Sequence, residues 1–301
     1  GLPSFDTLML ESEPVVLIME AFAYREMILR AHVNDKARSR TLSGAAGAAL
    51  DHIGMTYYRR TQRLDGEDDE TFRARIAVAP EAWSSAGPEG AYVFFGYGAS
   101  SDILDLAVYS VDEGAALPAI LRVCVLSRTG DGTASAGLLS AVRQAMAKRD
   151  RTPTADHVIA QTATRVDYAI AVELSVAPGV AHQPLIDAAT ARLTAWSSGK
   201  RRWAGDDVEG PVWLIGRTID AGDLKAIAWA GDPNILGVRI ISPVTTVNPV
   251  TPGYAAALET FLANQTDPGV VALSDALTAH LFRAPRCTSV TVTARTWNGD
   301  L

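Results

Sequence analysis

The chain has 301 residues, 48% hydrophobic and 20% charged, which suits folded domains of roughly 150 residues each and excludes a disordered or fibrous chain. A net charge of -7 argues against a dedicated nucleic-acid or anionic-membrane surface, because either needs a clustered positive field. The apolar run from Val15 to Tyr24 contains Glu20 and is too short for a bilayer span of about 20 residues. It lacks a basic leader and a small-residue cleavage site, so cytoplasmic synthesis is the expectation.

In chain order, Pro14 suits the first turn of a helix, and apolar residues recur at Val15, Ile18, Met19, Phe22, Leu29 and Val33 with helical spacing. The spacing predicts a helix to about Arg40. A second apolar set, Leu17, Tyr24, Met27 and Ile28, lies on another face, so the first half of the helix is apolar over far more than a surface stripe of about 100°. Two sides need covering, by the chain itself or by another subunit. The glycine- and alanine-rich segment Leu42 to Ile53 predicts a second helix with a small-residue seam, stopped by Gly54.

The cluster Asp65-Gly66-Glu67-Asp68-Asp69-Glu70 lacks the alternating oxygen ligands of a calcium loop. It reads as an acidic helix start, with Glu70 and Arg73 spaced to pair across one turn. A turn over Ser84 to Gly90 and a short apolar helix through Tyr92 and Phe95 follow, placing a domain boundary near residue 80. Alternation at Leu104, Leu106 and Val108, then at Leu121, Val123 and Val125, predicts two strands. Helical spacing returns at Leu139, Val142 and Met146. Val158 opens another strand, and Tyr168, Ile170, Val172, Leu174 and Val176 alternate with smaller or polar residues as in a half-buried strand.

The pattern then repeats: a helix from Pro184, a strand from Val212 to Ile215, a helix capped by Asp220, and a strand through Val238 and Ile240. A Pro- and Thr-rich loop spans Pro243 to Pro252. Short helices at Ala255 to Leu262 and Leu273 to Phe282 precede a last strand through Val290 and Val292. The fold class is α+β: an N-terminal helical arm over residues 1–82, then two tandem α+β domains with mixed sheets over 83–165 and 166–301.

Little in the chain points to chemistry. Thr129-Gly130-Asp131-Gly132-Thr133-Ala134-Ser135 lies between a predicted strand and a predicted helix, where amides can hold a phosphate. It lacks the third glycine of a dinucleotide fingerprint and the Gly-Lys-Ser/Thr of a P-loop, and Asp131 or Thr133 as an N-cap accounts for it without a ligand. A nucleotide- or phosphate-binding enzyme using Gly130 to Ser135 is the competing reading. The five histidines are scattered without metal-ligand spacing. Cys124 and Cys287 form no CxxC and read as small buried hydrophobes. No catalytic residue, cofactor or metal is implied. Among the tryptophans, Trp196 and Trp229 fall in helical periodicity and read as core, whereas Trp203, in a Gly-rich charged loop, reads as an interface residue.

Read together, Glu13-Pro14, the run Ala23 to Arg30, Val33-Asn34-Asp35-Lys36-Ala37-Arg38 and Ala48-Ala49-Leu50-Asp51 resemble the N-terminal region of the baseplate J-like family of contractile phage tails. Glu67 to Glu70 with Phe72 to Ile76, Ser84 to Tyr92, and Val123 to Ser127 before Gly130 to Thr133 resemble later family segments in the same order. Weaker similarity runs through Gly216-Arg217 and Ile241-Ser242-Pro243 to Cys287-Thr288. Two stretches depart from the pattern, Arg201 to Pro211 and Val244 to Ala284, the second resembling an insertion.

The resemblance implies a structural wedge component of the virion's tail baseplate, made and assembled in the host cytoplasm, with no catalysis. Its implied partners are other copies of itself, a second wedge protein, and sheath-initiator or hub proteins, in a ring around the tail hub whose contacts change on contraction. Nucleic acid and membrane are not among them. Related contractile bacteriocins share such parts. The residues expected at partner interfaces are Phe22, Tyr24, Met27, Ile28, Leu29, Val33, Arg38 and Trp203.

Overall fold

A computed structural model describes residues 14–84, 87–148, 151, 153, 156–198, 200–201, 212–265 and 271–299. The chain divides into two compact units between Gln62 and Arg63.

The first unit carries helix α1, Pro14–Arg38, and helix α2, Ala48–Tyr57. Lys36 and Arg38 lie in the last turn of α1, where positive charge complements the helix dipole. The second helix begins later than the sequence predicts. Thr41 explains part of this: its hydroxyl donates to the Arg38 carbonyl at 2.8 Å and accepts the Gly44 amide at 3.1 Å, bonds that compete with helix. A Cβ on Gly44 would stand 2.6 Å from the Arg38 carbonyl oxygen, so this tight return requires glycine. Gly54 does not stop α2. It is buried inside the helix, and the chain turns at Arg59 and Arg60, both in the left-handed region at φ 55° and 53°.

The second unit opens with α3, Asp69–Ala77. Asp68 caps it, accepting from the Thr71 amide and hydroxyl, both at 2.8 Å, so the acidic run is a helix start. Buried Arg75 forms a two-bond pair with buried Glu67, at 2.8 and 2.6 Å. Helix α4, Glu89–Tyr97, is almost wholly buried. Strand β1, Ile103–Tyr109, pairs antiparallel with β2, Ile120–Ser127. Helix α5, Ala136–Met146, then leads to β3, His157–Thr162, which is parallel to β2. The order is β1-β2-β3, a mixed sheet. At Gly96 of α4 a Cβ would lie about 2.5 Å from Leu106 of β1 and 2.6 Å from Met146 of α5, so the three elements meet where a side chain is missing.

Strand β4, Thr164–Val176, starts the second sheet. Its alternation survives in three dimensions: Tyr168, Ile170, Val172, Leu174 and Val176 are buried against Leu185, Ala189 and Leu193 of α6, His182–Ser197. Leu224 and Ala228 of α7, Ala221–Trp229, complete that core. Lys200–Arg201 (β5) and Val212–Trp213 (β6) form a small hairpin-like pair, shorter than the strand expected to reach Ile215. Strand β7, Ile235–Ser242, is antiparallel to β4, and β8, Arg283–Thr296, is parallel to it, in the order β7-β4-β8. Both sheets are therefore mixed, and the architecture is α+β as expected.

Helix α8, Tyr254–Ala263, and helix α9, Asp275–Thr278, fill the stretch read as an insertion. That stretch packs back on the first sheet. The Leu273 amide donates to the Gly114 carbonyl at 3.0 Å, and the Tyr254 hydroxyl to that of Glu113 at 2.9 Å. Arg122 reaches Asp275 at 2.7 Å. A shared core of Tyr109, Cys124, Leu126, Ile215, Phe282 and Ala284 joins the two sheets.

Candidate assembly surfaces

Helix α1 carries most of the residues expected at an interface. No residue of α1 is buried. Phe22, Tyr24, Met27, Ile28, Leu29 and Val33 are between 47 and 69% exposed, and Val15, Leu17, Ile18 and Met19 are exposed beside them. Single exposed hydrophobes are ordinary; ten along one helix are not. The charged residues gather in the second half, where Arg30 pairs with Glu26 at 2.5 Å. Between Pro14 and Tyr24 the one charged side chain is Glu20. Arg38 ends the helix in the open, its carbonyl holding Thr41. Trp203 lies outside the described residues.

The glycine loop is a closed turn. Gly130 and Gly132 take φ 61° and 94°. The Gly132 amide donates to Thr129, the Thr133 amide to Asp131 Oδ1 at 2.9 Å, and the Ala134 amide to Thr162 Oγ1 at 2.9 Å. Neither Asp131 nor Thr133 caps α5; Ser135 does, accepting the Leu138 amide. A Cβ on Gly132 would meet Arg165 Nε at 2.4 Å. The Thr133 amide holds exposed Asp131 below the ordinary carboxylate range. Beside it Arg286 and Asp167 form a two-bond surface pair at 2.7 and 2.6 Å.

Buried polar groups elsewhere serve the fold. Asp105, fully buried, accepts from the Leu106 amide and the Tyr97 hydroxyl on Oδ1. Its Oδ2 takes the Leu214 and Ile215 amides, both at 2.7 Å. Arg217 lies over the Trp196 ring at 4.0 Å and donates to the Trp196 carbonyl at 3.0 Å; burial lowers its pKa. Burial likewise lowers that of His280, whose Nδ1 lies 3.1 Å from the Thr251 hydroxyl. Among the described residues no three His, Cys, Asp or Glu are grouped to hold a metal.

Two expectations are corrected. Trp229, read as core, is 49% exposed, because it closes α7 at a left-handed turn through Ala230. Cys287 is only half-buried, whereas Cys124 is buried. Periodicity also missed the apolar edge of β7, where Leu236 and Ile241 are exposed.

The described residues thus form an α+β body and a helix with an exposed apolar surface, and the buried polar clusters described above are bonded within the fold. Residues 11–65 match the family Baseplate J-like N-terminal domain, nearly coincident with the first unit. The chain is 38% identical over 213 residues to "Baseplate protein J" of Escherichia phage P2, covering 66% of this chain and 69% of that protein. The chain belongs to the baseplate J-like family and is a structural component of the phage tail baseplate.

Proposed function

We propose that the chain is a wedge subunit that acts by contact rather than by catalysis. Its α1 bundles with equivalent or related helices of neighbouring copies and of a second wedge protein. The observation that supports this is the set of ten exposed apolar side chains on a helix without a buried residue. Fully burying a large aliphatic or aromatic side chain contributes about 1.5 to 3 kcal/mol. Phe22, Tyr24, Met27, Ile28, Leu29 and Val33 together can thus offset the entropy lost on association. Apolar residues on more than one face call for at least two neighbours.

In this reading the second unit carries ring contacts around the tail hub that rotate or break on contraction, with hub or sheath-initiator proteins alongside. Trp203 and Arg38 are assigned supporting contacts. The internal bonding of the Gly130 to Ser135 loop supports a non-enzymatic role.

The test is Phe22→Glu with Ile28→Glu in the full chain. Size exclusion with light scattering, alone and with the neighbouring tail proteins, is expected to show loss of the heteromeric complex, with the circular dichroism spectrum unchanged. Normal complex formation by this variant overturns the arm assignment.

A further inference from the structure

The chain holds five asparagines, Asn34, Asn234, Asn248, Asn264 and Asn298, and four of them are constrained. Asn34 lies inside α1, where the amide that follows it belongs to the helix ladder. The Asn234 side chain donates to Asp232 Oδ1 at 3.1 Å, and the next amide, that of Ile235, donates to the Asp232 carbonyl at 3.1 Å. Asn248 is buried and precedes Pro249, which has no N–H. Asn264 donates to the Thr260 carbonyl at 2.8 Å, and Gln265 after it reaches the Phe261 carbonyl at 3.0 Å. Asn298 has none of these constraints. It lies past the end of β8 and past the bond from the Trp297 amide to the Val176 carbonyl, at 2.8 Å, that holds the strand's end. Asn298 and Gly299 are both exposed, and among the described residues neither the Asn298 side chain nor the Gly299 amide is hydrogen-bonded. Gly299 takes φ 97°, and a Cβ built on it would meet nothing within 4 Å, so the backbone there has room to turn.

We infer that Asn298 is a site of spontaneous deamidation, with Gly299 supplying the nucleophile. The Gly299 nitrogen, having given up its proton, attacks the carbonyl carbon of the Asn298 side chain. A new C–N bond closes a succinimide ring, the bond from that carbon to the side-chain nitrogen breaks, and the nitrogen takes up the proton and leaves as ammonia. Water then opens the ring. Addition at the side-chain carbonyl leaves aspartate; addition at the backbone carbonyl leaves isoaspartate, with the chain running on through the former side chain. Nothing is oxidised or reduced, and water is the one co-reactant. A side chain on the following residue crowds this attack, and glycine has none. Either product puts a negative charge just past β8, and isoaspartate also lengthens the backbone there, outside the last sheet bond. Neither the arm nor its partners enter this inference.

The test ages the full chain in mildly alkaline buffer, which favours the deprotonated amide, and reads its peptides by mass. The peptide carrying Asn298 is expected to gain the mass difference between an amide and an acid. It is also expected to become a substrate for methylation by protein isoaspartyl methyltransferase. Peptides carrying the other four asparagines are expected to stay unchanged over the same period. Asn298→Gln is expected to abolish the conversion and Gly299→Ala to slow it strongly, with the circular dichroism of both variants unchanged. The inference is overturned if Asn298 keeps its amide under conditions that convert the free peptide of residues 295–301. It is equally overturned if another asparagine converts as fast, or if Gly299→Ala ages at the rate of the wild type.

Discussion

Asp105 sits alone as a charge in the apolar strand Ile-Leu-Asp-Leu-Ala-Val-Tyr, and its four bonds tie β1 to the turn at Leu214 and Ile215. Removing the carboxylate takes the acceptor from the buried Leu214 amide and breaks three further bonds, and a buried amide that loses its acceptor costs about 1 to 3 kcal/mol. Asp105→Ala is therefore expected to lose on the order of 3 kcal/mol or more in urea denaturation. Asp105→Asn is expected to recover only part, because its NH2 points a donor at donors. His280 makes a pH-dependent contribution. Burial lowers its pKa most; a bond with the Leu277 backbone opposes this, and the Arg283 charge adds to it. The unfolded ring takes up a proton near its ordinary 6.5 while the folded ring resists. Its share of stability is thus present above 6.5 and lost as pH falls through the lowered folded value. Melting temperatures taken downward from neutral pH are expected to fall more steeply in the wild type than in His280→Gln.

At the scale of elements, strong periodicity was readable and turn chemistry was not. β4 shows its buried face in the sequence because every second residue is large and apolar. α1 shows its excess grease for the same reason, and the Asp68 cap is visible as an acidic start. The late beginning of α2 is not, because alanines and glycines fit a helix equally well until Thr41 claims the Arg38 carbonyl. The bulges of β7 are set by where β4 lies, and the exposure of Trp229 by the left-handed turn through Ala230, neither of which apolar spacing encodes. Of the exposed apolar stretches, that of α1 was legible in the spacing and that of β7, at Leu236 and Ile241, was not. The Glu67–Arg75 pair, with both side chains at most 5% exposed, belongs to this scale too. Glu67→Leu alone removes the paired carboxylate and both its bonds from a buried guanidinium and is expected to cost about 3 to 5 kcal/mol. Glu67→Leu with Arg75→Met is expected to cost markedly less, as thermal or urea unfolding of both variants checks.

At the largest scale, residues 63–301 form one compact unit. Asp105, the Tyr109 hydroxyl on the Leu281 carbonyl at 2.6 Å, and the shared core around Phe282 and Ile215 lock one sheet to the other. The sequence expectation sets a boundary between residues 165 and 166, where strand and helix periodicity restarts; contacts across it come from residues more than a hundred positions apart, which local periodicity does not encode. Residues 63–301 are expected to unfold in a single transition. Tryptophan fluorescence and far-ultraviolet dichroism checked together read this: noncoincident curves would show halves that melt apart.

Between Thr162, the last residue of β3, and Thr164, the first of β4, the chain has only Ala163, buried and bonded through its amide to the Val125 carbonyl at 2.9 Å. A tug on one strand is handed to the next with almost no slack. Ala163 thus couples the two three-stranded sheets through a single buried link.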